Sequence, residues 1–370
     1  MSEMEKAEVT TNRVESIDVL RGFDMFWIIG GGAIFASLHK VYNSDITAVI
    51  DTQLNHAPWE GFQFEDLIMP LFMFIVGVVM PYSFAKRLGR GHSKGRLFAH
   101  VLFRAVVLFV LGMVAQGRLL DFDLSRLHIY CNTLQAIAAG YVIAAAALLA
   151  LRPPGQAIVC VLLMLAFWGL LMLAPAPGYA VGDLSPDGNL AIYIDRLILG
   201  RFQDETHYTW ILSSLTFGST VLMGALAGHW LRSGRAGVVK AAGLIAAGAT
   251  CISGGIAWNV IFPIIKHLWT SSFVMFSGGI CLALLGLFYL VIDVWGLRRW
   301  AFGFKVIGAN AIFVYMITHL WSFERLGGVF VNGLNKWLGP WDNFAQATAG
   351  FAIVWLILVY MYRKKTFVKV

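Results

Sequence analysis

Charge is what this chain has least of. Asp, Glu, Lys and Arg together make up 13% of its 370 residues, about half of the roughly 25% that is usual in soluble domains. Such a chain has too few polar groups to cover a large folded domain in water, which excludes an ordinary soluble protein. The hydrophobic share of 58% and the mean hydropathy of +0.71 indicate instead a protein that lies in a lipid bilayer.

Cysteine is scarce as well. Each cysteine lies in or beside an apolar run, and no two form a C-x-x-C pair: Cys131, Cys160, Cys251 and Cys281. This arrangement argues against a disulfide framework and against a metal site, so we predict small buried side chains and no metal. The polar N-terminus lacks the basic and apolar segments of a signal peptide, and the sequence shows no internal repeat.

Long apolar runs are what the chain has in abundance. Runs of about 20 residues can cross a hydrocarbon core of roughly 30 Å as helices. We predict about ten such helices, near residues 19–38, 65–85, 97–116, 131–151, 156–174, 208–231, 238–262, 270–292, 304–323 and 343–362. The predicted fold is therefore an all-α, polytopic integral membrane protein, with residues 1–370 as a single transmembrane domain. Residues 1–16 are predicted to form a polar cytoplasmic tail, and residues 175–207 a long external loop.

The lysines and arginines set the predicted orientation. Most of them fall on the side that also holds the N-terminus, in segments such as KRLGRGHSKGR (86–96) and RKKTFVK (363–369). Because cytoplasmic loops carry the excess of Lys and Arg, both termini are predicted to be cytoplasmic. The net charge of +7 then reflects membrane topology, and we expect no nucleic-acid partner. His56 falls in the first external loop.

Several charged residues fall inside predicted membrane helices, where a charge is costly and usually marks function. Asp18 and Arg21 are three residues apart and share a helix face. They are either a structural ion pair or, through Arg21, a site for an anionic group. Arg104 lies roughly 10 Å into the third helix and needs a carboxylate or a phosphate as its partner.

Amide and aromatic side chains recur in two further helices. Asn132 and Gln135 share a face at the start of the fourth helix. Tyr315 and His319 share a face of the ninth helix, which also carries Asn310. Hydrogen bonds between helices would explain these residues without a catalytic role, so both interpretations stay open.

The stretch NHAPWEGFQFEDLIMPLF (55–72) concentrates polar residues at the edge of a membrane helix. An unperturbed histidine pKa near 6.5 suits His56 to accept a proton at physiological pH. The nearby carboxylates of Glu60, Glu65 and Asp66 could orient its ring. The alternative is an interfacial loop in which Trp59 anchors the chain to the membrane.

Four segments of the chain resemble one known family: SIDVLRGFDMFWIIGGG, NHAPWEGFQFEDLIMPLFMFIVGVVMPYS, FPIIKHLWTSSFVMFSGG and GANAIFVYMITHL. They are similar, in order and over residues 13–362, to the membrane-bound heparan-alpha-glucosaminide N-acetyltransferases, and most of all to their short bacterial relatives. Members of that family move the acetyl group of cytosolic acetyl-CoA to an amino sugar on the other side of the membrane. One departure is LQAIA (134–138), where the family often has LQRIG and therefore an arginine.

The resemblance implies roles for particular residues. The catalytic histidine corresponds to His56, supported by Asp66 or Glu60, and the accompanying asparagine to Asn55 or Asn43. The expected contacts of the co-substrate acetyl-CoA are Arg21, Arg96, Arg104, Asn132 and Gln135. The expected contacts of the amino-sugar acceptor are Trp59, Glu60, Asn310, His319 and Asp18. The resemblance further implies a homodimer in the bacterial inner membrane.

Two other functions are compatible with these residues. A secondary transporter of sugars or small anions would also need inward polar groups. Transporters typically show inverted repeats and paired broken helices, and the sequence shows neither. Within the same fold, a hydroxyl instead of an amine could accept the acyl group. Release of CoA thiol that depends on an added amino sugar would distinguish an enzyme from a carrier.

Overall fold

The apolar runs fold as helices because a backbone inside hydrocarbon has to satisfy its hydrogen bonds within its own segment. The computed structural model describes residues 14–42 and 44–368, so most of the predicted tail and the candidate Asn43 lie outside it. The described α-helices are α1 (Glu15–Phe26), α2 (Gly32–Tyr42), α3 (Asp45–Gln53), α4 (Ile68–Leu88), α5 (Lys94–Ala115), α6 (Thr133–Ala150), α7 (Pro153–Leu173), α8 (Leu190–Leu199), α9 (Ser214–Leu231), α10 (Gly237–Asn259), α11 (Ser271–Phe288), α12 (Phe302–Ala309), α13 (Ala311–Leu320), α14 (Phe323–Val331), α15 (Asn335–Leu338) and α16 (Asp342–Arg363). Extended pairing within these residues is limited to one isolated bridge, between Glu60 and Ile265.

Eight helical stretches in the described part of the chain are long and apolar enough to cross a membrane. They are Glu15–Tyr42, Phe64–Leu88, Lys94–Ala115, Thr133–Ala150, Pro153–Leu173, Gly237–Asn259, Ser271–Val294 and Lys336–Arg363. The pair α12 and α13, bent by 76° at Asn310, supplies a ninth crossing when it is taken as one broken span. The protein is therefore an all-α, polytopic membrane protein, as predicted.

Helix α9 accounts for the difference from the predicted ten spans. It has 18 residues and packs against α4, α6 and α7. Thr216, Ser219 and Thr220 lower its hydropathy, and all three are fully buried. Their hydroxyls donate to backbone carbonyls, including Ser219 to the carbonyl of Cys160 at 3.1 Å. Because neighbouring helices surround it, α9 does not need the apolar surface of a helix that faces lipid.

The pair α4 and α9 packs backbone to backbone. A Cβ added at Gly77 would lie 2.0 Å from the carbonyl oxygen of Val221, and one added at Gly224 would lie 2.0 Å from that of Phe74. Small residues at such positions let two membrane helices approach backbone to backbone. The turn Phe64–Leu67 leads directly into α4, so this packing fixes the position of Asp66.

Local features differ from the sequence-based expectation. The first span, expected near 19–38, continues from α1 into α2 through a π-helical turn, where Gly30 has a φ of +145°. The span expected at 304–323 is broken at Asn310, although no proline marks the break. The loop predicted at 175–207 contains α8, and the loop predicted between the first two spans contains α3.

Ion pairs close the end of the bundle where α1 begins, which we call the basic end. The two carboxylate oxygens of Asp293 accept the backbone N–H groups of Glu15 and Ser16, both at 3.0 Å. The carboxylate of Glu15 pairs in turn with Lys305 and, at 3.5 Å, with Arg298. These contacts tie the start of α1 to the chain that follows α11 and to α12.

Candidate active site

Three loops meet at the other end of the bundle, which we call the loop end. They precede α4, α9 and α11. The first and third loops join where the N–H of Gly61 donates to the carbonyl of Ile264 at 2.8 Å. The second and third join where the N–H of Thr209 donates to the carbonyl of His267 at 3.0 Å. Backbone bonds between loops therefore hold side chains that are remote in sequence at fixed distances.

His56 and Asp66 form the centre of this end. The Nδ1 atom of His56 lies 2.9 Å from Oδ1 of Asp66. The other oxygen of Asp66 accepts the N–H groups of Ala57 at 3.2 Å and Gln63 at 3.0 Å. Because an ionised carboxylate only accepts hydrogen bonds, Nδ1 of His56 carries a proton, and in the neutral ring Nε2 is then the atom with the lone pair. The side chain of His56 is 43% exposed, whereas that of Asp66 is fully buried.

Lys266 completes the cluster. Its Nζ atom lies 3.0 Å from Nδ1 and 3.2 Å from Nε2 of His56, and 3.4 Å from Oδ1 of Asp66. If Nζ lay in the plane of the imidazole ring at these two distances, it would overlap a carbon atom of the ring. The amine therefore lies over the face of the ring. Burial lowers the pKa of Lys266, and the neighbouring charge of Asp66 opposes that shift.

Lys266 was not among the predicted site residues. It lies in FPIIKHLW, where Lys266 and His267 are set within an otherwise apolar stretch, and only 6% of its surface is exposed. A lysine within such an apolar stretch is the signal that could have found it, because buried lysines are rare unless they are paired.

A cavity of about 450 Å³ opens onto this cluster, within the range of roughly 300–1,000 Å³ that is typical of small-ligand sites. Its polar lining includes His56, Glu65, Asp204, Lys266, His267 and His319. Its apolar lining includes Phe72, Tyr208, Trp210, Phe217 and Trp269. The cavity thus combines a few converging polar groups with aromatic walls, which is the usual composition of a binding site.

Stacked rings form one wall and its rim. Trp59 stacks on His267 with ring centroids 5.1 Å apart, and His267 stacks on Tyr208 at 4.3 Å. The indole N–H of Trp59 donates to the carbonyl of Leu184 at 3.0 Å. Burial lowers the pKa of His267 to about 4 and raises that of Tyr208 to about 12. Both rings are therefore uncharged near neutral pH.

The structure brings several of the predicted residues to this cavity. His56 and His319 line it, and Asp66 holds the ring of His56. Asn132 lies close by, since its Nδ2 donates to the hydroxyl of Tyr315 at 3.1 Å. The side chain of Gln135 is occupied by backbone groups, including the N–H of Cys131 at 2.9 Å.

Other predicted residues at the loop end lie beside the cavity and do not line it. Asn55 is exposed and donates to the carbonyl of Asp51 at 2.7 Å. Glu60 is exposed, and its backbone forms the bridge to Ile265. Trp59 belongs to the rim through its stack on His267. The roles predicted for these residues stay predictions.

The remaining predicted residues lie outside the cavity. Asn310 binds the C-terminal segment, since its side chain donates to the carbonyl of Thr366 at 3.2 Å and accepts from the N–H of Val368 at 2.9 Å. Asp18 and Arg21 lie near the start of α1, 3.6 Å apart. Their assignment to the acceptor and to CoA stays a prediction.

Two further arginines predicted to bind CoA lie on α5. Arg96 is exposed in its first turn. Arg104 donates to the hydroxyl of Tyr141 at 3.3 Å, and its guanidinium lies 5.2 Å above that ring. Its Nε is buried without a hydrogen-bond partner among the described residues. Within the same residues, no group of three or more His, Cys, Asp or Glu side chains could hold a metal ion.

The chain is similar in sequence to one family of known proteins. Residues 13–254 match the family model described as "Heparan-alpha-glucosaminide N-acetyltransferase, catalytic". The human protein named heparan-alpha-glucosaminide N-acetyltransferase is 25% identical over 97% of this chain and 60% of its own length. The mouse protein of that name is 24% identical over 98% of this chain and 61% of its own length. The chain thus spans about 60% of the length of these relatives.

Proposed function

This chain belongs to the heparan-alpha-glucosaminide N-acetyltransferase family, and from that premise we propose that it transfers an acetyl group from acetyl-CoA to the amine of an amino sugar. The observation that carries the proposal is the cavity at the loop end, which contains a histidine oriented by a buried carboxylate and accompanied by a buried lysine. On the positive-inside rule, this end is proposed to lie on the external side of the membrane. The proposed location is the bacterial inner membrane.

His56 is the proposed base. Its Nε2 lone pair accepts the proton of the attacking amine, while Asp66 fixes the ring and stabilises the imidazolium that forms. The same lone pair could instead attack the thioester and carry the acetyl group briefly before the amine takes it. Both routes require Nδ1 to carry the proton, which is the state that the bond to Asp66 favours.

Lys266 is the proposed donor to the oxyanion. Attack on the thioester places negative charge on the carbonyl oxygen, and an N–H donor held in a water-poor site stabilises that charge. The Nζ atom of Lys266 lines the cavity beside His56. A carbonyl attacked next to His56 therefore has this amine within reach, and the amine offers N–H groups in either protonation state.

The anionic end of CoA is proposed to bind at the basic end, with Arg21, Arg96 and Arg104 as contacts. The cavity itself contains the carboxylates of Glu65 and Asp204, which would repel phosphate groups. The neutral thioester arm, which carries no such charge, would reach the cavity from the other side of the membrane. This arrangement would avoid moving charged CoA across the bilayer.

The proposal is tested by measuring free CoA thiol released from acetyl-CoA by the purified full-length protein, with and without glucosamine. An acetyltransferase releases thiol at a rate that depends on glucosamine and yields one acetylated amine per thiol. Uptake of glucosamine into vesicles without thiol release would identify a transporter and contradict the proposal. Equal thiol release with glucose and with glucosamine would favour a hydroxyl acceptor.

A further inference from the structure

Two adjacent carboxylates in the turn before α4 have different surroundings. The carboxylate of Asp66 already has hydrogen-bond and ion-pair partners. It accepts hydrogen bonds from Nδ1 of His56 and from the backbone N–H groups of Ala57 and Gln63, and it forms an ion pair with Nζ of Lys266. A carboxylate offers about four lone-pair sites, so these four donors use its capacity. Asp66 cannot take up a further ligand without releasing one of them.

Glu65 is the adjacent carboxylate, and it is available. Its side chain lines the cavity and is half-buried. It forms no hydrogen bond or ion pair with any residue in 14–42 or 44–368, yet it lies close enough to His56, Lys266 and Asp66 to interact with their charges. A partly buried carboxylate without a partner is costly, which suits a site that is completed by a cation.

The formal charges around the cluster do not cancel that of Glu65, although burial disfavours its ionised form and the nearby His56 and Lys266 favour it. Nζ of Lys266 and Oδ1 of Asp66 lie 3.4 Å apart, so the charges of these two residues offset each other. His267, whose pKa lies at about 4, carries no charge near neutral pH. Asp204, the other acidic residue of the cavity lining, accepts from the hydroxyl of Thr206 at 2.9 Å. The position beside His56 therefore favours a ligand with one positive charge.

A structural role for Glu65 explains less of this arrangement. An acidic residue in the first turn of a helix interacts favourably with the helix dipole, and Glu65 occupies such a turn before α4. That interaction would be satisfied equally by a side chain that points into solvent. It does not account for a carboxylate that lines the cavity next to His56.

We propose that Glu65 binds the ammonium group of the acceptor and thereby selects cationic amines over neutral hydroxyl acceptors. This inference rests on the proposed function and goes beyond it by naming the group that recognises the substrate's charge. The bound ammonium lies next to His56, which is the group that must take its proton. Glu65 is a binding and specificity residue, and it does not itself form or break a bond to the acetyl group.

The reaction balances with Glu65 as a counter-ion. The ammonium gives one proton to Nε2 of His56 and becomes a free amine. The nitrogen attacks the thioester carbonyl, the C–S bond breaks, and the departing thiolate takes the second proton from the nitrogen. The products are a neutral acetamide and CoA thiol, and His56 returns the first proton to solvent. Because the acetamide has no positive charge, it loses the ion pair with Glu65 and is released more easily than the substrate is.

The test compares wild type, Glu65→Gln and Glu65→Asp, with Glu205→Gln as the control. Glu205 is an exposed glutamate in the loop before α9 and does not line the cavity. Hydrogen bonds to charged groups contribute enough that Glu65→Gln should raise the KM for glucosamine by roughly 10- to 100-fold. The KM for acetyl-CoA should stay unchanged, Glu65→Asp should lie in between, and Glu205→Gln should match wild type. A KM for glucosamine within twofold of wild type in Glu65→Gln would overturn the inference.

A binding measurement separates this inference from the proposed function. Calorimetry on the full-length wild type should show tighter binding of glucosamine than of glucose, and Glu65→Gln should remove the difference. Equal affinities for the two sugars in wild type would overturn the inference, whatever the activity. Selective binding of glucosamine without acetyl transfer would leave the ammonium site standing and overturn the proposed function.

Discussion

Both ends of the bundle contain acidic and basic side chains in contact. They differ in whether polar atoms are left without a protein partner. At the basic end, Glu15 is bound by Lys305 and Arg298, and both oxygens of Asp293 cap α1. At the loop end, Asp66 is equally occupied, but its neighbours His56 and Glu65 keep a lone pair and a carboxylate directed at a cavity. The presence of charged groups does not distinguish a structural cluster from a functional one here. Polar atoms that face a cavity without a protein partner do.

The largest effect is expected from Asp66→Asn. The amide cannot accept from all of the present donors, so His56 loses its fixed tautomer and Lys266 keeps a buried charge without a counter-ion. Loss of the carboxylate behind a catalytic histidine lowers rates by about 10⁴ in other enzymes, and we expect a loss of roughly 10³–10⁴ in acetyl transfer.

The same variant should also unfold more easily. Breaking a buried ion pair costs about 3–5 kcal/mol, and the side chains of Lys266 and Asp66 are 7% and 0% exposed. Asp45→Asn, at an exposed position of α3, is the matched control and should change neither rate nor stability. An Asp66→Asn protein with wild-type activity would show that the ring of His56 needs no carboxylate.

A smaller effect is expected from Lys266→Met. Methionine keeps the buried apolar stem, and Asp66 retains His56, Ala57 and Gln63 as donors. Removing one donor to an oxyanion costs about 10²–10³ in rate, so kcat should fall by that factor while the protein stays folded. Lys336→Met, at an exposed position, is the control. Loss of folding in Lys266→Met, with no measurable rate, would make Lys266 a structural residue like those of the basic end.

The smallest effect is expected from Glu15→Gln. Its carboxylate is 20% exposed, and its partners Lys305 and Arg298 are 29% and 57% exposed, so water screens the pairs. Fully exposed pairs contribute about 0.2–1 kcal/mol, and these partly exposed pairs should lie near the upper end of that range, while Asp293 still caps α1. We expect a small decrease in thermal stability and an unchanged rate of acetyl transfer. A large loss of activity would contradict the purely structural role assigned to Glu15.

The predictable part of this protein is the part that depends on local pattern. Long apolar runs predicted the spans. The clustering of His56 with three carboxylates indicated the candidate site, whose role stays a prediction. The sequence did not show which carboxylate contacts the ring, because Asp66 is selected by the backbone N–H groups of Ala57 and Gln63, which only the folded turn brings together.

What the sequence could not show depends on contacts between distant segments. Lys266 is 210 positions from His56, and no periodicity relates two loops. The break at Asn310 has no proline to mark it, and the asparagine contacts a segment 56 to 58 residues further along the chain. Helix α9 tolerates a lower mean hydropathy because other helices surround it. The composition of a helix does not show which helices pack against it.

The measurement that tests the central claim most directly is transfer of labelled acetyl from acetyl-CoA to glucosamine by purified wild type and His56→Ala, with acetyl-CoA binding measured in both. His92→Ala, in the loop between α4 and α5, is the control. We predict that His56→Ala binds acetyl-CoA as wild type does and loses transfer by about 10²–10⁴, while His92→Ala keeps it. Transfer by His56→Ala at close to the wild-type rate would contradict the account and place the chemistry elsewhere.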